Sequence, residues 1–304
     1  MSSAAAACRA AVLGHPIGHS RSPLLHSAAY RALGVDIDYT AIDMLPQEAG
    51  SFAARLRTEP GWVGVSVTMP LKAALIPHLD VLSERVLRLG ALNTVVVEHL
   101  AGSVRLTGHN TDVDGIVRAM EEVLPARRGD DAPRENPRAA ILGAGNTALA
   151  ALEACALLGY THVDLVVRNP QRAAAALVLA ETLGLACATV DVAAAAARLA
   201  DYGSVISTLP AHAADSLIAP LGLGLTPARS GVLAPGAVLL DVAYDPWPSE
   251  IAAAWEAAGG TVVSGMSMLV HQGVEQVKYF SGIQDADWRH VTNVMCDAVG
   301  LSRP

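Results

Sequence analysis

Four polar side chains border apolar runs in the first half of the chain, and their chemistry suits acid–base work on a small ligand. Lys72 follows the strand-like run VGVSVTM and the turn residue Pro70, while Asn93, Asn110 and Asp112 flank further apolar runs. An ammonium gives or takes a proton, a carboxylate accepts from a hydroxyl, and a carboxamide both donates and accepts. Each residue alone is compatible with a surface charge or a turn. Together they predict a pocket for a small polyol.

Two serines near the amino end predict a second polar site. Ser22 precedes Pro23 and a run with helical periodicity, which predicts a helix with Ser22 as its N-cap and proline at its first position. The free amides of that helix start, together with the hydroxyls of Ser20 and Ser22, suit a carboxylate or phosphate. Simple capping by Ser22 is the alternative, and the helix start taken alone favours it.

A glycine-rich turn in the middle of the chain predicts a dinucleotide site. Gly143, Gly145 and Ala148 form a G-x-G-x-x-A pattern after the strand-like AAIL and before a helical run. Such glycines permit a tight turn and close approach to a pyrophosphate. About 20 residues further on, where an acid would bind a ribose hydroxyl, the chain has Arg168, with Arg172 one turn later. The arginines predict NADP rather than NAD, and the alternative is that both are solvated helix-start residues.

The elements that must hold these residues predict an α/β protein of two domains. The chain has 304 residues, and short apolar runs alternate with helical patterns both before and after a charged, proline-rich segment at 125–137. We expect this segment to be an exposed, mobile connection. The second half, with the strand-like runs HVDLVVRN, ATVDV, SVISTLP, AVLLDVAY and TVVSG, is typical of a doubly wound parallel sheet. A helix is expected from Met266 to about Gly282.

Composition limits the classes of function. The chain is 52% hydrophobic and 16% charged, and its net charge of −8 opposes non-specific binding to nucleic acid or to an anionic membrane. Acidic residues and prolines interrupt the apolar stretches, so no membrane span is expected. The amino-terminal sequence does not fit a secretory signal, so we expect a cytoplasmic protein.

The cysteines and histidines do not predict a metal site. Four cysteines, Cys8, Cys155, Cys187 and Cys296, lie far apart without a C-x-x-C pair, so we expect them to be reduced and buried. Three histidines near the serines have no cysteine or acidic partner at ligand spacing, so solvation or packing is expected for them.

With these motifs identified, the chain closely resembles the shikimate dehydrogenase family, whose members reduce 3-dehydroshikimate to shikimate with NADPH. The resemblance runs from about Ala11 to Gly282 and rests on motifs in family order: GHPIGHSRSPLLH, GVSVTMPLK, GALNT, GHNTDVDG, GAGNTA, VVRN, DVAYDPWP and SGMSMLVHQG. It implies an oxidoreductase of aromatic amino acid biosynthesis. It also implies a substrate domain at 1–115, a Rossmann-like NADP-binding domain at 116–264, and C-terminal helices at 265–304 that pack on the substrate domain.

The resemblance assigns roles to the matched residues. Lys72 and Asp112 become the catalytic pair, with Lys72 donating a proton as hydride passes to the carbonyl of the substrate. Substrate-binding residues are expected at Ser20, Ser22, Ser66, Thr68, Asn93, Tyr244 and Gln272. Cofactor-binding residues are expected at Gly143, Ala144, Gly145, Asn146, Thr147, Ala148, Arg168, Asn169, Arg172, Thr208 and Gly265. A small-molecule substrate, no metal, and a monomer or homodimer are expected.

The chain departs from the family pattern at a few positions. Ser66 stands where the family usually has asparagine, His109 replaces an acid, and Asn146 and Thr147 alter the glycine loop. The nearest alternative function is a quinate or quinate/shikimate dehydrogenase, against which Arg168 argues because that enzyme would have an acid there. A non-catalytic NADP-binding sensor or regulator is the alternative from another class, and retention of the catalytic pair argues against it.

Overall fold

Two six-stranded sheets organise the chain into two units. A computed structural model describes residues 8–125, 137–196, 198–218 and 233–304. One unit contains the chain up to Asp112 together with Leu269–Pro304, and the other contains Val113–Met268. The first unit is therefore discontinuous in sequence, since it combines the amino-terminal part of the chain with its last residues. The segment predicted to be a mobile connection falls almost entirely outside the described residues.

The first unit contains a mixed sheet. Its strands are β1 (Cys8–Gly14), β2 (Ile37–Asp43), β3 (Trp62–Val67), β4 (Val81–Leu82), β5 (Thr94–Leu100) and β6 (Ser103–His109). They lie in the order β2-β1-β3-β5-β6-β4. Strand β1 is parallel to both of its neighbours, whereas β5 is antiparallel to β3 and to β6. The helices wholly within this unit are α1 (Ser22–Leu33), α2 (Ala49–Thr58), α3 (Glu84–Leu89) and α10 (Trp288–Ala298).

Both faces of this sheet are covered, which explains the continuous apolar run from Ala10 to Leu13 in β1. Ala11 and Leu13 face a core formed with α2, whereas Ala10 and Val12 face a core formed with α1 and the C-terminal helices. Successive side chains of a strand point to opposite faces, so a strand buried on both sides needs a continuous apolar run.

The second unit contains a wholly parallel sheet. Its strands are β7 (Arg138–Leu142), β8 (His162–Val167), β9 (Ala186–Asp191), β10 (Ser204–Ser207), β11 (Val238–Asp241) and β12 (Thr261–Ser264). Their order, β12-β11-β10-β7-β8-β9, is that of a doubly wound dinucleotide-binding sheet and confirms the predicted fold class. The helices that begin in this unit are α4 (Asp112–Glu121, apart from its first residue), α5 (Asn146–Leu157), α6 (Ala174–Thr182), α7 (Val192–Ala196), α8 (Glu250–Ala257) and α9 (Gly265–Ser281).

Helix α9 is where the chain returns to the first unit, since the boundary falls after Met268. Val270, Val274 and Val277 of α9 are buried in the core that also contains α1. Their spacing of three and four residues places them on one face of the helix. The predicted C-terminal helix is thus present. Packing of its apolar face also brings Gln272 and Gln276 of α9 to the sheet.

The cysteines are only partly as predicted. All four are free, but Cys8 is exposed and Cys187 is partly exposed, so the expectation that all are buried is wrong. Cys8 begins β1, and Cys187 lies on β9, the last strand of its sheet, which has a neighbouring strand on one edge only. Within the described ranges, no group of three or more metal-ligating side chains is arranged to hold an ion. The helices found there also lack the length and apolar character that crossing a membrane requires.

Candidate active site

Lys72 and Asp112 form an ion pair in the first unit. Lys72 lies in the turn after β3 and Asp112 is the first residue of α4, so the end of a strand and the start of a helix position them. Lys72 Nζ donates to Asp112 Oδ2, and the two side chains are 12% and 7% exposed. A cation and an anion removed from water to this extent are stabilised by each other and by further hydrogen bonds. Folding thus joins two residues that are far apart in sequence.

Asn93 holds the other oxygen of the carboxylate. Asn93 Nδ2 donates to Asp112 Oδ1 and to Thr111 Oγ1, both at 2.9 Å. Asn93 Oδ1 accepts from the Thr111 backbone N–H at 2.7 Å, which fixes the orientation of the amide because that N–H can only donate. Asp112 therefore meets a donor on each of its two oxygens.

Gln272 joins this group from α9. Gln272 Oε1 accepts from Asn93 Nδ2 at 3.1 Å, and its Nε2 donates to the Leu269 carbonyl at 2.9 Å. Thr111 Oγ1 also donates to the Gln272 carbonyl at 3.1 Å. Four of the residues singled out by sequence thus share one buried hydrogen-bonded cluster: Lys72, Asn93, Asp112 and Gln272.

The two predicted anion-binding serines lie at the start of α1, but the predicted cap is wrong. The helix begins at Ser22, so Arg21 is the N-cap. Ser20 Oγ accepts from the Ser22 backbone N–H at 3.3 Å, and Ser22 is buried. Ser22 is thus the first residue inside the helix, one position past the cap, and its hydroxyl lies near that of Tyr39. Two hydroxyls and the first amides of a twelve-residue helix remain a suitable place for a carboxylate.

Tyr39 links these serines to Ser66. Tyr39 Oη donates to Ser66 Oγ at 2.7 Å, and Ser66 Oγ donates to Gln276 Oε1 at 2.7 Å. Burial raises the pKa of Tyr39, and its bonds to the two serines offset this only in part, so its hydroxyl stays protonated. The Ser66 proton is committed to Gln276, so Ser66 has only a lone pair left for a ligand. Thr68, which follows β3, is partly buried and lies next to Gly14.

His26 is buried behind this group. Its ring is stacked on Tyr39 with centroids 4.0 Å apart, and its Nε2 donates to Gln276 Oε1 at 3.3 Å. Tyr30 Oη lies 3.0 Å from His26 Nδ1 and donates to it, since the other ring nitrogen carries the proton. Burial lowers the pKa of His26 to about 3, so the ring is neutral. A packing role, as expected from the sequence, is confirmed for this histidine.

His109 is the last residue of β6 and stands where the family pattern has an acid. Its ring stacks on Tyr279 of α9, with centroids 4.3 Å apart. Burial lowers the pKa of His109, and the nearby Glu98 carboxylate opposes this change. The His109 ring therefore contributes a stacking contact between β6 and α9.

The glycine-rich turn of the second unit has the geometry that a pyrophosphate needs. Gly143, directly after β7, has φ +110°, and a Cβ there would lie 2.7 Å from Thr208 Oγ1. Thr208 Oγ1 donates to the Leu142 carbonyl at 2.8 Å, which ties the ends of β7 and β10 together. Gly145 is the N-cap of α5, and a Cβ on it would meet no atom within 4 Å. The turn therefore offers open space at a helix start.

The remaining residues of this turn enter α5. Asn146 and Thr147 begin the helix, and Ala148 is fully buried where the helix packs on the sheet. Ala144 lies between the two glycines of the turn. The small side chain at 148 permits the close packing that the motif predicts.

Two arginines lie free after the neighbouring strand β8. Arg168 and Arg172 are exposed, and neither guanidinium has a hydrogen-bonding partner among the residues that the structure describes. Asn169 Oδ1 accepts from the Gln171 backbone N–H at 3.0 Å, which shapes the turn between them. Two unpaired guanidinium groups beside a glycine-rich turn fit the 2′-phosphate of NADP.

Tyr244 and Gly265 belong to the second unit. Tyr244 lies in the loop after β11 and is partly exposed. Gly265 begins α9 directly after β12, and a Cβ at this position would overlap the carbonyl of Val242. Only glycine permits the backbone of α9 to start so close to the neighbouring strand.

The structure adds to the cluster three residues that the sequence patterns do not single out. Tyr39 and Gln276 are buried polar side chains bonded to Ser66, and Thr111 is bonded to Asn93 and Gln272. Gln276 had a signal, since it lies four residues after Gln272 on an apolar helix face.

Comparison with known proteins gives consistent matches. Residues 12–95 match the family model described as the shikimate dehydrogenase substrate binding domain. Over 298 residues, covering 96% of this chain and 94% of its relative, the chain is 34% identical to the shikimate dehydrogenase (NADP(+)) of Moorella thermoacetica.

Solved structures agree in fold. The crystal structure of Mycobacterium tuberculosis shikimate dehydrogenase matches with a TM-score of 0.77 and 36% identity, covering 95% of this chain and 99% of that one. Quinate dehydrogenase from Corynebacterium glutamicum in complex with NAD matches with a TM-score of 0.75 and 27% identity, covering 96% and 99%.

Proposed function

The chain belongs to the shikimate dehydrogenase family, and from this membership we propose that it interconverts 3-dehydroshikimate and shikimate with NADP(H) in aromatic amino acid biosynthesis. The observation that carries the proposal is the buried Lys72–Asp112 pair, with Asn93 bonded to both the aspartate and Gln272. A lysine and an aspartate in contact suit proton transfer at a carbonyl or an alcohol.

In this proposal the first unit performs the acid–base chemistry. NADPH, when bound, supplies the hydride for the carbonyl carbon of the substrate. Lys72 donates a proton from Nζ to the oxygen that becomes a hydroxyl, and takes it back in the reverse direction. Asp112 stabilises the ammonium of Lys72 and fixes its position, while Asn93 holds Asp112.

We assign substrate recognition to both ends of the cluster. Ser20 and Ser22 would bind the substrate carboxylate at the start of α1, where the helix dipole favours an anion. Thr68 and Gln272 would bind ring hydroxyls. Asn93 would bind one by exchanging a hydrogen bond that its Nδ2 now makes to Thr111 Oγ1 or Gln272 Oε1. Ser66 would contribute only by accepting a hydrogen bond, since its proton is given to Gln276. Tyr244 remains a proposed substrate contact from the second unit.

We assign coenzyme binding to the second unit, Val113–Met268, which contains the predicted domain 116–264 and Gly265 directly after it. The open turn at Gly143–Gly145 would bind the pyrophosphate, and Arg168 with Arg172 would bind the 2′-phosphate. The relative from Moorella thermoacetica is named for NADP(+), in agreement with this preference. Asn169, Thr208 and Gly265 would shape the walls of this site.

We further propose a cytoplasmic enzyme, a monomer or homodimer, that acts on a small molecule without nucleic acid or membrane partners. The net charge of −8 supports only the last part of this proposal, the lack of nucleic acid and membrane partners, because a phosphate backbone or an anionic bilayer would repel such a protein.

The test is an absorbance assay of coenzyme reduction with four combinations: shikimate or quinate, each with NADP+ or NAD+. We expect the highest kcat/KM for shikimate with NADP+. Faster turnover of quinate with NAD+ would overturn the proposal in favour of a quinate dehydrogenase, which the similarity to the Corynebacterium glutamicum enzyme makes a real competitor. NADPH binding without turnover of either substrate would instead indicate the sensor or regulator.

A further inference from the structure

Gln276 uses all of its hydrogen-bonding capacity inside the first unit. It is 1% exposed. Its Nε2 donates to the Asn93 carbonyl and to Thr94 Oγ1, both at 3.0 Å. Its Oε1 accepts from Ser66 Oγ at 2.7 Å and from His26 Nε2 at 3.3 Å. A carboxamide offers two protons and two lone pairs, so no capacity is left for a substrate.

The direction of these bonds is fixed. The Asn93 carbonyl can only accept, so Gln276 must face it with Nε2 and must present Oε1 to Ser66. Ser66 therefore donates to Gln276 and accepts from Tyr39. On the other side, Thr94 Oγ1 accepts from Gln276 and donates to Asn93 Oδ1 at 2.8 Å.

This chain of hydrogen bonds ends at Asp112, a member of the proposed catalytic pair. With Oδ1 occupied by Thr94 and by the Thr111 backbone N–H, Asn93 turns Nδ2 toward Asp112 Oδ1 at 2.9 Å. Every donor then points the same way, along the sequence of residues Tyr39, Ser66, Gln276, Thr94, Asn93 and Asp112. Hydrogen bonds aligned in this way polarise one another, and this one terminates on a carboxylate.

We propose that Gln276 is a positioning residue for proton transfer: it aligns the hydrogen bonds that hold Asn93 against Asp112, and so leaves Asp112 Oδ2 for Lys72. This rests on the proposed function of that pair. Loss of the Gln276 carboxamide removes the donor to Thr94 Oγ1 and the acceptor of the Ser66 proton. The Thr94 hydroxyl can then turn away from Asn93 Oδ1, so that Thr111 alone holds this oxygen, through its backbone N–H, and the contact of Asn93 Nδ2 with Asp112 is less rigid.

The test compares steady-state kinetics of Gln276→Met, Ser66→Ala and the double variant with the wild type. Gln276→Met keeps the length of the side chain without its polar atoms. We expect kcat for shikimate oxidation to fall about 5- to 50-fold in Gln276→Met, with KM for NADP+ unchanged. The fall in kcat of the double variant should be smaller than the product of the two single falls, because both substitutions interrupt the same chain of hydrogen bonds.

Thr292→Val is the matched control. Thr292 lies on α10 in the same unit, is 9% exposed, and donates from Oγ1 to the Trp288 carbonyl at 2.8 Å. Its loss should lower Tm without changing kcat. If Gln276→Met does not fold, Thr94→Val breaks the same series with an isosteric side chain, and the same fall in kcat is expected.

Two results would overturn this inference: wild-type kcat in folded Gln276→Met or Thr94→Val, or single losses that multiply fully in the double variant. A wild-type protein inactive on shikimate with NADP+ would instead refute the proposed function. The two failures are therefore distinguishable, since the first is seen only in variants of an active enzyme.

Discussion

Asn93 Nδ2 lies 2.9 Å from Asp112 Oδ1, so the oxygen of Asp112 that does not meet Lys72 is also bonded. The buried amide of Asn93 thus donates to one carboxylate oxygen and the ammonium of Lys72 donates to the other. Neither donor can be exchanged for an acceptor without placing like partial charges in contact. The first two predictions follow from this arrangement.

Lys72→Ala should lower kcat by about 10²- to 10⁴-fold, the usual contribution of a positioned general acid. Affinity for NADPH should change little, because the coenzyme site is assigned to the other unit. The chain has one other lysine, Lys278, which is paired with Glu275, and Lys278→Ala is the control. Steady-state kinetics and coenzyme fluorescence titration measure both, and near-normal kcat in Lys72→Ala would exclude Lys72 as the acid.

Asp112→Asn should lower kcat by about 10²-fold or more, since proton transfer then lacks the carboxylate that orients the ammonium. In either orientation, the new NH₂ group would face a donor, Asn93 Nδ2 or Lys72 Nζ. The measurement is kcat together with Tm. A variant with full activity would show that the carboxylate charge is dispensable.

Arg168→Ala and Arg172→Ala should each raise KM for NADP+ by about 10- to 100-fold, the effect of losing one charge-assisted hydrogen bond to a phosphate. Kinetics with NAD+, which lacks the 2′-phosphate, serve as the internal control and should change little. Equal effects on both coenzymes would contradict the assignment of these arginines to the phosphate.

His26 predicts a pH dependence of stability. Its pKa is about 3 in the folded protein and 6.5 as the ordinary value, so the unfolded chain takes up a proton first as pH falls. The neutral ring therefore contributes fully above pH 6.5, and this contribution is lost progressively toward pH 3. The limiting slope for one group is about 1.4 kcal/mol per pH unit.

Chemical denaturation of the wild type and of His26→Phe at about pH 7, 6 and 5 measures how the free energy of unfolding changes with pH. The variant should show a flatter decline in the free energy of unfolding than the wild type. His162→Phe, a change at an exposed histidine on β8, should retain the wild-type decline. Identical slopes in wild type and His26→Phe would show that His26 is not held neutral.

Much of the fold was predictable because its signals are local. The G-x-G-x-x-A turn, the apolar strands of the second half and the helix after Met266 all depend on spacings of a few residues, and the structure contains each. An error of one residue arose at a helix start. Ser22 has the residue type of an N-cap, but the helix begins at Ser22 itself, so that Arg21 occupies the cap position and Ser20 Oγ accepts from the Ser22 backbone N–H.

The sequence by itself determined the family, the organisation into two α/β units and the residue types available for chemistry. Tertiary structure alone decided which of them meet: Lys72 with Asp112 across 40 positions, Asn93 with Gln272 across 179, and Ser66 with Gln276 across 210. The physical reason is that periodicity along a chain records which face of an element is buried. The direction of a hydrogen bond depends on how distant elements pack, and only folding brings α9 against β3 and β5.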